Sequence, residues 1–176
     1  PHLAAMVTAL DSYVLDEGTE HFQPSNLEFT TIDVGNAATN VIPRTAQATF
    51  NIRFNTEHTL DSLEQTVRDI LDKVAIERNC HYSLDCRKNS APFLTPEGEF
   101  SALISTAIEK RLGIKPVLST TGGTSDARFI KDYCPVAEFG LISQTMHKID
   151  ERASLADIEA LAEIYTDILK RYFQKR

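Results

Sequence analysis

Residues 45–54 alternate without a break: Ala46, Ala48, Phe50, Ile52 and Phe54 take one set of positions, and Thr45, Gln47, Thr49, Asn51 and Arg53 take the other. Successive side chains of a strand point to opposite faces, so this register commits the segment to a half-buried strand with one packed and one polar face, Arg53 pointing away from the core. Shortly afterwards the period changes. Leu60, Leu63, Val67, Ile70, Leu71 and Val74 recur at three- and four-residue spacing, the stripe of a helix that buries one face, and Thr59 stands where its N-cap should be. A half-buried strand leading into an amphipathic helix restricts the fold to layers in which helices cover one side of a sheet.

The flanking segments extend this pattern. Leu27, Phe29 and Thr31 alternate with Glu28 and Thr30, and Gly35 follows, which predicts a second strand over 27–34. Residues 4–15 are compatible with a helix interrupted at Asp11-Ser12, and 81–87 predict a further strand. The order helix, strand, strand, helix, strand becomes the β-α-β-β-α-β arrangement of a ferredoxin-like sandwich if one more strand precedes Pro1.

Asn89-Ser90-Ala91-Pro92 breaks the pattern and Pro96-Glu97-Gly98 punctuates it again, which places a lobe boundary near residue 91 and divides the chain into 1–90 and 91–176. In the second lobe Phe100, Leu103, Ile104, Ala107, Ile108 and Leu112 form a helix face that Gly113 ends. Short strands are expected at 116–119 and 136–139, with a short helix over 125–131 between them. Ser154-Leu155-Ala156-Asp157 opens a last helix whose expected buried face is Leu155, Ile158, Leu161, Tyr165, Ile168 and Leu169.

Composition narrows the function classes. With 176 residues, 42% apolar and 24% charged, the chain is long enough and apolar enough to bury a core. No apolar run approaches the roughly 20 residues of a membrane-spanning helix, so no membrane partner is expected. A net charge of −7 with scattered Lys and Arg repels a phosphate backbone, which argues against nucleic acid. Cys80, Cys86 and Cys134 are odd in number and lack metal-site spacing, as expected of a chain in a reducing cytoplasm. The start Pro1-His2-Leu3-Ala4 lacks a basic n-region and a small-residue cleavage site, and reads as a cut inside a longer chain.

Three places carry candidate chemistry. Thr120-Thr121-Gly122-Gly123-Thr124-Ser125-Asp126 lies between an expected strand and an expected helix, where free N–H groups and hydroxyls suit a carboxylate or phosphate; an ordinary Gly/Thr-rich turn fits the same spacing. His147 sits in the polar stretch 143–151, where an imidazole serves zinc or acid–base work, or simply decorates a loop. Asn40, in the link between the two alternating strands, and Arg53 offer an amide and a guanidinium to a ligand carboxylate, or a turn amide and a solvated cation. His2, His21, His58 and His81 have no partner at ligand spacing and are read as surface residues, and no Ser, Cys or Thr has a base beside it.

Taken together, Asn40-Val41-Ile42-Pro43, Asn51-Ile52-Arg53-Phe54, Ala91-Pro92-Phe93-Leu94-Thr95, the run from Thr121 to Ile130, Glu138-Phe139-Gly140 and Met146-His147-Lys148-Ile149-Asp150-Glu151 resemble the succinyl-diaminopimelate desuccinylases, of the zinc aminoacylase and carboxypeptidase superfamily. The resemblance implies a ferredoxin-like dimerisation lobe (α+β) over 1–90, followed by the C-terminal segment of a zinc-peptidase-like α/β catalytic domain over 91–176. It implies an amidohydrolase with two zinc ions per subunit, cobalt being the substitute metal, and a cytoplasmic homodimer. His147 is then a zinc ligand, and Asp150 and Glu151 flank it. Arg53, Gly123 and Thr124 hold the carboxylates of a small-molecule substrate, and Asn40 reaches into the partner subunit's site. The other zinc ligands and the general base are expected before Pro1, so the chain alone is expected to be inactive. The alternatives are a non-catalytic dimerisation fragment and a related deacylase of the acetylornithine type.

Overall fold

A computed structural model describes residues 1–122, 125–142 and 144–174. They form two compact units, Pro1–Phe93 and Leu94–Arg176.

The first unit is α+β. Helix α1 (His2–Asp11) leads to strand β1 (Asn26–Asp33), strand β2 (Gln47–Arg53) and helix α2 (Leu60–Arg78). The two strands pair antiparallel, with Leu27 opposite Ile52 and Phe29 opposite Phe50. β2 alternates as its sequence dictates: Ala48, Phe50 and Ile52 are half-buried, and Gln47, Thr49, Asn51 and Arg53 are exposed. β1 departs from strict alternation because the register shifts between Phe29 and Thr31, leaving Thr30 as the extra residue of a bulge. Thr31 therefore stands opposite Thr49 on the polar side instead of continuing the Leu27–Phe29 face. The Thr30 hydroxyl donates to the Thr49 carbonyl at 3.2 Å, meeting one acceptor that the bulge disturbs.

The helices cover the apolar side of this hairpin. Met6 and Leu10 of α1 and Val67, Leu71 and Val74 of α2 form the buried centre, and Leu27, Phe29, Phe50 and Ile52 pack against it. Phe29 and Phe50 meet edge to face with centroids 5.5 Å apart. α2 begins at a capping box: the Thr59 hydroxyl accepts from the Ser62 amide at 3.0 Å, and the Ser62 hydroxyl accepts from the Thr59 amide at 2.9 Å. α1 stops at Asp11 and does not continue to residue 15; Ser12 caps it, its amide and its hydroxyl both donating to the Thr8 carbonyl, at 3.1 and 2.8 Å.

The strand expected over 81–87 is not formed. Cys80, Tyr82 and Leu84 are half-buried against the core and His81, Ser83 and Asp85 are exposed, yet no ladder joins the segment to a neighbour among the described residues. Alternation fixes which side chains face the core, whereas a ladder also needs an adjacent backbone edge. The described sheet has two strands, and neither pairs with this segment.

The second unit is built on α3 (Glu99–Leu112) and α5 (Leu155–Gln174), with the single turn α4 (Ala127–Ile130) between them in sequence. Gly113 ends α3 at φ 68°, a conformation that costs glycine nothing. Ala107 and Ile108 of α3 bury against Ile164 and Ile168 of α5, with Phe139 at the margin. Lys110 pairs with Asp167 and Arg111 with Glu163 along the same contact. The buried residues of α5 are Ala160, Ile164 and Ile168; of the expected face Ile168 is buried and Leu161 half-buried, whereas Leu155, Ile158, Tyr165 and Leu169 are exposed within this unit. α5 is apolar on adjoining faces, and the one holding Ile164 and Ile168 packs against α3. No strand forms at 116–119 or 136–139 among the described residues, and the short helix expected over 125–131 shrinks to α4.

Candidate functional site

The most organised polar cluster of the first unit was invisible to sequence reasoning. Asp16, in the connection between α1 and β1, has a side chain only 4% exposed. Its carboxylate accepts from the amides of Gly18 at 2.7 Å and Ser25 at 3.1 Å, and from Asn55 Nδ2 at 2.6 Å, while His58 Nε2 lies 2.9 Å away. Asn55, 1% exposed, donates its own amide to the Ser25 hydroxyl and accepts from the Glu57 amide through its side chain. Burial alone pushes the Asp16 carboxyl up, but the hydrogen bonds from Ser25, Gly18 and Asn55 outweigh it and hold the group well below the usual carboxylate range. Gly18 has φ 85°, and a Cβ there would sit 2.8 Å from the Phe22 carbonyl. The cluster ties the loop before β1 to the turn that launches α2. His58, expected to be a plain surface residue, is one of its members. Asp16 and His58 are 42 positions apart, so no spacing rule could have paired them.

Arg53 closes β2, exposed, at the end away from the connection to β1; Asn40, exposed, lies within that connection. A strand of this length separates its ends by about 20 Å. The hairpin thus places the loop carrying Asn40 and the guanidinium of Arg53 at opposite ends of β2. The Asn36 side chain organises that loop by donating to the carbonyls of Ala38 and Val41, at 3.0 and 2.7 Å.

In the second unit His147 occupies an exposed loop with left-handed backbone, φ 61°, and Asp150 shares that value. The His147 amide donates to Glu151 Oε2 at 3.3 Å, and the Lys148 ammonium donates to the Gln144 carbonyl at 2.8 Å. Gly123 and Thr124, the expected carboxylate-binding pair, lie outside the described residues. Next to them Ser125 accepts from the Ala127 amide at 3.1 Å. The Arg128 guanidinium lies over the Phe129 ring, 4.6 Å from its centroid, and its Nε is buried with no hydrogen-bond partner among the described residues. Among the described residues no three His, Cys, Asp or Glu side chains gather as a metal cluster would require. His147 therefore has the donor chemistry of a zinc ligand and the exposure to act as one, but the described residues do not complete a site around it.

Comparison with known proteins gives this pattern its context. Residues 1–79 match the peptidase dimerisation domain family, which agrees with the α+β architecture of the first unit. Over its whole length the chain is also similar to proteins named succinyl-diaminopimelate desuccinylase. The sequence is 54% identical across 176 residues to the succinyl-diaminopimelate desuccinylase of Parvibaculum lavamentivorans, a match covering 100% of this chain and 45% of that relative. It is 56% identical across 173 residues to the protein of that name from Bradyrhizobium sp. strain BTAi1, covering 98% of this chain and 45% of the relative. The Rhodopseudomonas palustris strain BisB18 protein, also a succinyl-diaminopimelate desuccinylase, is 53% identical across 174 residues, with 98% and 44% covered. The chain thus spans under half the length of the curated relatives it matches. No described helix is long and apolar enough to cross a membrane.

Proposed function

We propose that residues 1–176 are the dimerisation lobe and the returning catalytic segment of a succinyl-diaminopimelate desuccinylase. That enzyme hydrolyses N-succinyl-LL-2,6-diaminopimelate to succinate and LL-2,6-diaminopimelate, in lysine and cell-wall synthesis. The observation that carries this reading is identity of 54% over every residue of the chain to a relative of that name. The functional boundary falls near residue 91, close to the break between the two compact units.

In this reading the protein is a cytoplasmic homodimer. Three thiols free of disulfides, Cys80, Cys86 and Cys134, support a reducing compartment. Zinc, two ions per subunit with cobalt as substitute, supplies Lewis-acid polarisation of the succinyl amide carbonyl and activation of the attacking water. The residues of this chain bind and orient. His147 is one metal donor, and Arg53 with Gly123 and Thr124 holds the substrate carboxylates through charge-assisted and backbone hydrogen bonds. Asn40, at the far end of β2 from Arg53, serves the partner subunit's site. The remaining metal donors and the general base belong to the part of the relatives' length that this chain does not match. The isolated chain is accordingly a non-catalytic dimerising piece.

Substrate profiling tests the reading. The full-length polypeptide containing residues 1–176 is assayed with N-succinyl-LL-2,6-diaminopimelate and with N-acetylornithine. A kcat/KM favouring the succinyl substrate is expected, whereas preference for the acetyl substrate assigns the chain to the acetylornithine deacetylases instead.

A further inference from the structure

The loop that carries His147 is closed at its ends by a hydroxyl, that of Thr145. His147 and Asp150 both sit at φ 61°, a region that costs a non-glycine residue about 1 kcal/mol or more and persists only where surrounding contacts over-determine it. Most contacts within the loop are between exposed groups: the His147 amide to Glu151 at 3.3 Å, the Lys148 ammonium to the Gln144 carbonyl, and Arg152 Nη1 to the Asp150 carbonyl at 3.4 Å. Long, exposed side chains hold such contacts weakly. Thr145 differs from them. It is half-buried, its hydroxyl donates to the Arg152 carbonyl at 2.8 Å, and the same oxygen accepts from the Arg152 amide at 3.1 Å. One side chain thereby satisfies both backbone groups of Arg152, as a facing strand residue would, and closes the loop 146–151 over seven positions. Within that closed loop the Lys148 amide donates back to the Thr145 carbonyl at 3.1 Å, folding the turn on which His147 lies.

We propose that Thr145 is the positioning residue that fixes His147: its hydroxyl clamps the ends of the loop and so sets the left-handed backbone from which the imidazole projects. The inference rests on the reading of His147 as a metal donor. A ligand must sit within about 0.2 Å of its bonding distance, so loss of the clamp acts on metal affinity although Thr145 touches no metal.

The test compares Thr145→Val, which keeps the shape and removes the hydroxyl, with Thr145→Ser, which keeps the hydroxyl, and with His147→Ala. Two quantities are read in the full-length polypeptide containing this chain: hydrogen exchange of the Arg152 amide together with the NMR backbone signature of His147, and the zinc dissociation constant by chelator competition. Expected for Thr145→Val are roughly tenfold faster exchange at Arg152, loss of the left-handed signature at His147, and zinc binding roughly tenfold weaker, with Thr145→Ser close to wild type in all three. Zinc binding by Thr145→Val within twofold of wild type, while His147→Ala weakens it strongly, overturns the clamp and leaves the metal reading standing. Equal losses in the Val and Ser variants overturn it too, since the hydroxyl is then not the cause. Unchanged zinc binding in His147→Ala removes the metal reading, and this inference with it.

Discussion

Asp16 shows how much of this protein's chemistry is tertiary. Its carboxylate is nearly inaccessible, and three donors from Gly18, Ser25 and Asn55 hold it ionised in the fold. Because its folded pKa lies below the unfolded value, the unfolded chain binds the proton more readily. The stability this group contributes is therefore fully present above the unfolded carboxyl's pKa of about 4, and is lost progressively as pH falls through that value towards the lower folded one. Asp16→Asn is expected to lower unfolding free energy at pH 7 by about 2 kcal/mol, since its amide sets donors against donors. It should also flatten the decline in stability below about pH 4. Urea denaturation of both proteins across pH 3–7 checks both effects; parallel pH profiles would show that Asp16 does not carry this dependence. Nothing in the chain near Asp16 announces the cluster, because its members Asp16, Gly18, Ser25, Asn55 and His58 are scattered between residues 16 and 58. His147 could be picked out as a candidate from its polar stretch, but the Thr145 contact to Arg152 could not, since a hydroxyl seven residues from its partner leaves no periodic trace.

At the scale of elements, period and capping carried most of the information. The β2 alternation, the α2 stripe with its Thr59 cap and the α3 stop at Gly113 are all as the residues dictate. Reading failed where two solutions share one pattern. α5 is apolar on adjoining faces, and the expected face met the buried one at Ile168, with Leu161 half-buried, because packing against α3 selects Ile164 and Ile168. The Thr30 bulge is a register event that needs both strands, and residues 81–87 alternate without an edge to pair with. The assignment of α5 can be tested by contrast. Ile164→Ala, at a position 1% exposed, is expected to cost about 3 kcal/mol, and Leu169→Ala, 56% exposed, less than about 0.5 kcal/mol if the second unit is measured in the chain as given. Thermal or urea unfolding reads both, and the reverse ranking would restore the face expected from sequence.

At the scale of the whole molecule, the chain forms two compact units. The first matches a peptidase dimerisation domain, and the second carries the His147 loop. Among the described residues no metal cluster forms, and the proposed zinc donor is His147. The decisive measurement is hydrolysis of N-succinyl-LL-2,6-diaminopimelate with zinc present, comparing residues 1–176 alone, the full-length polypeptide that contains them, and its His147→Ala variant. Turnover is expected from the full-length polypeptide only, falling by a hundredfold or more, on the order of 3 kcal/mol in the barrier, when His147 is replaced. Turnover by residues 1–176 alone, or undiminished turnover by the His147→Ala variant, would contradict it.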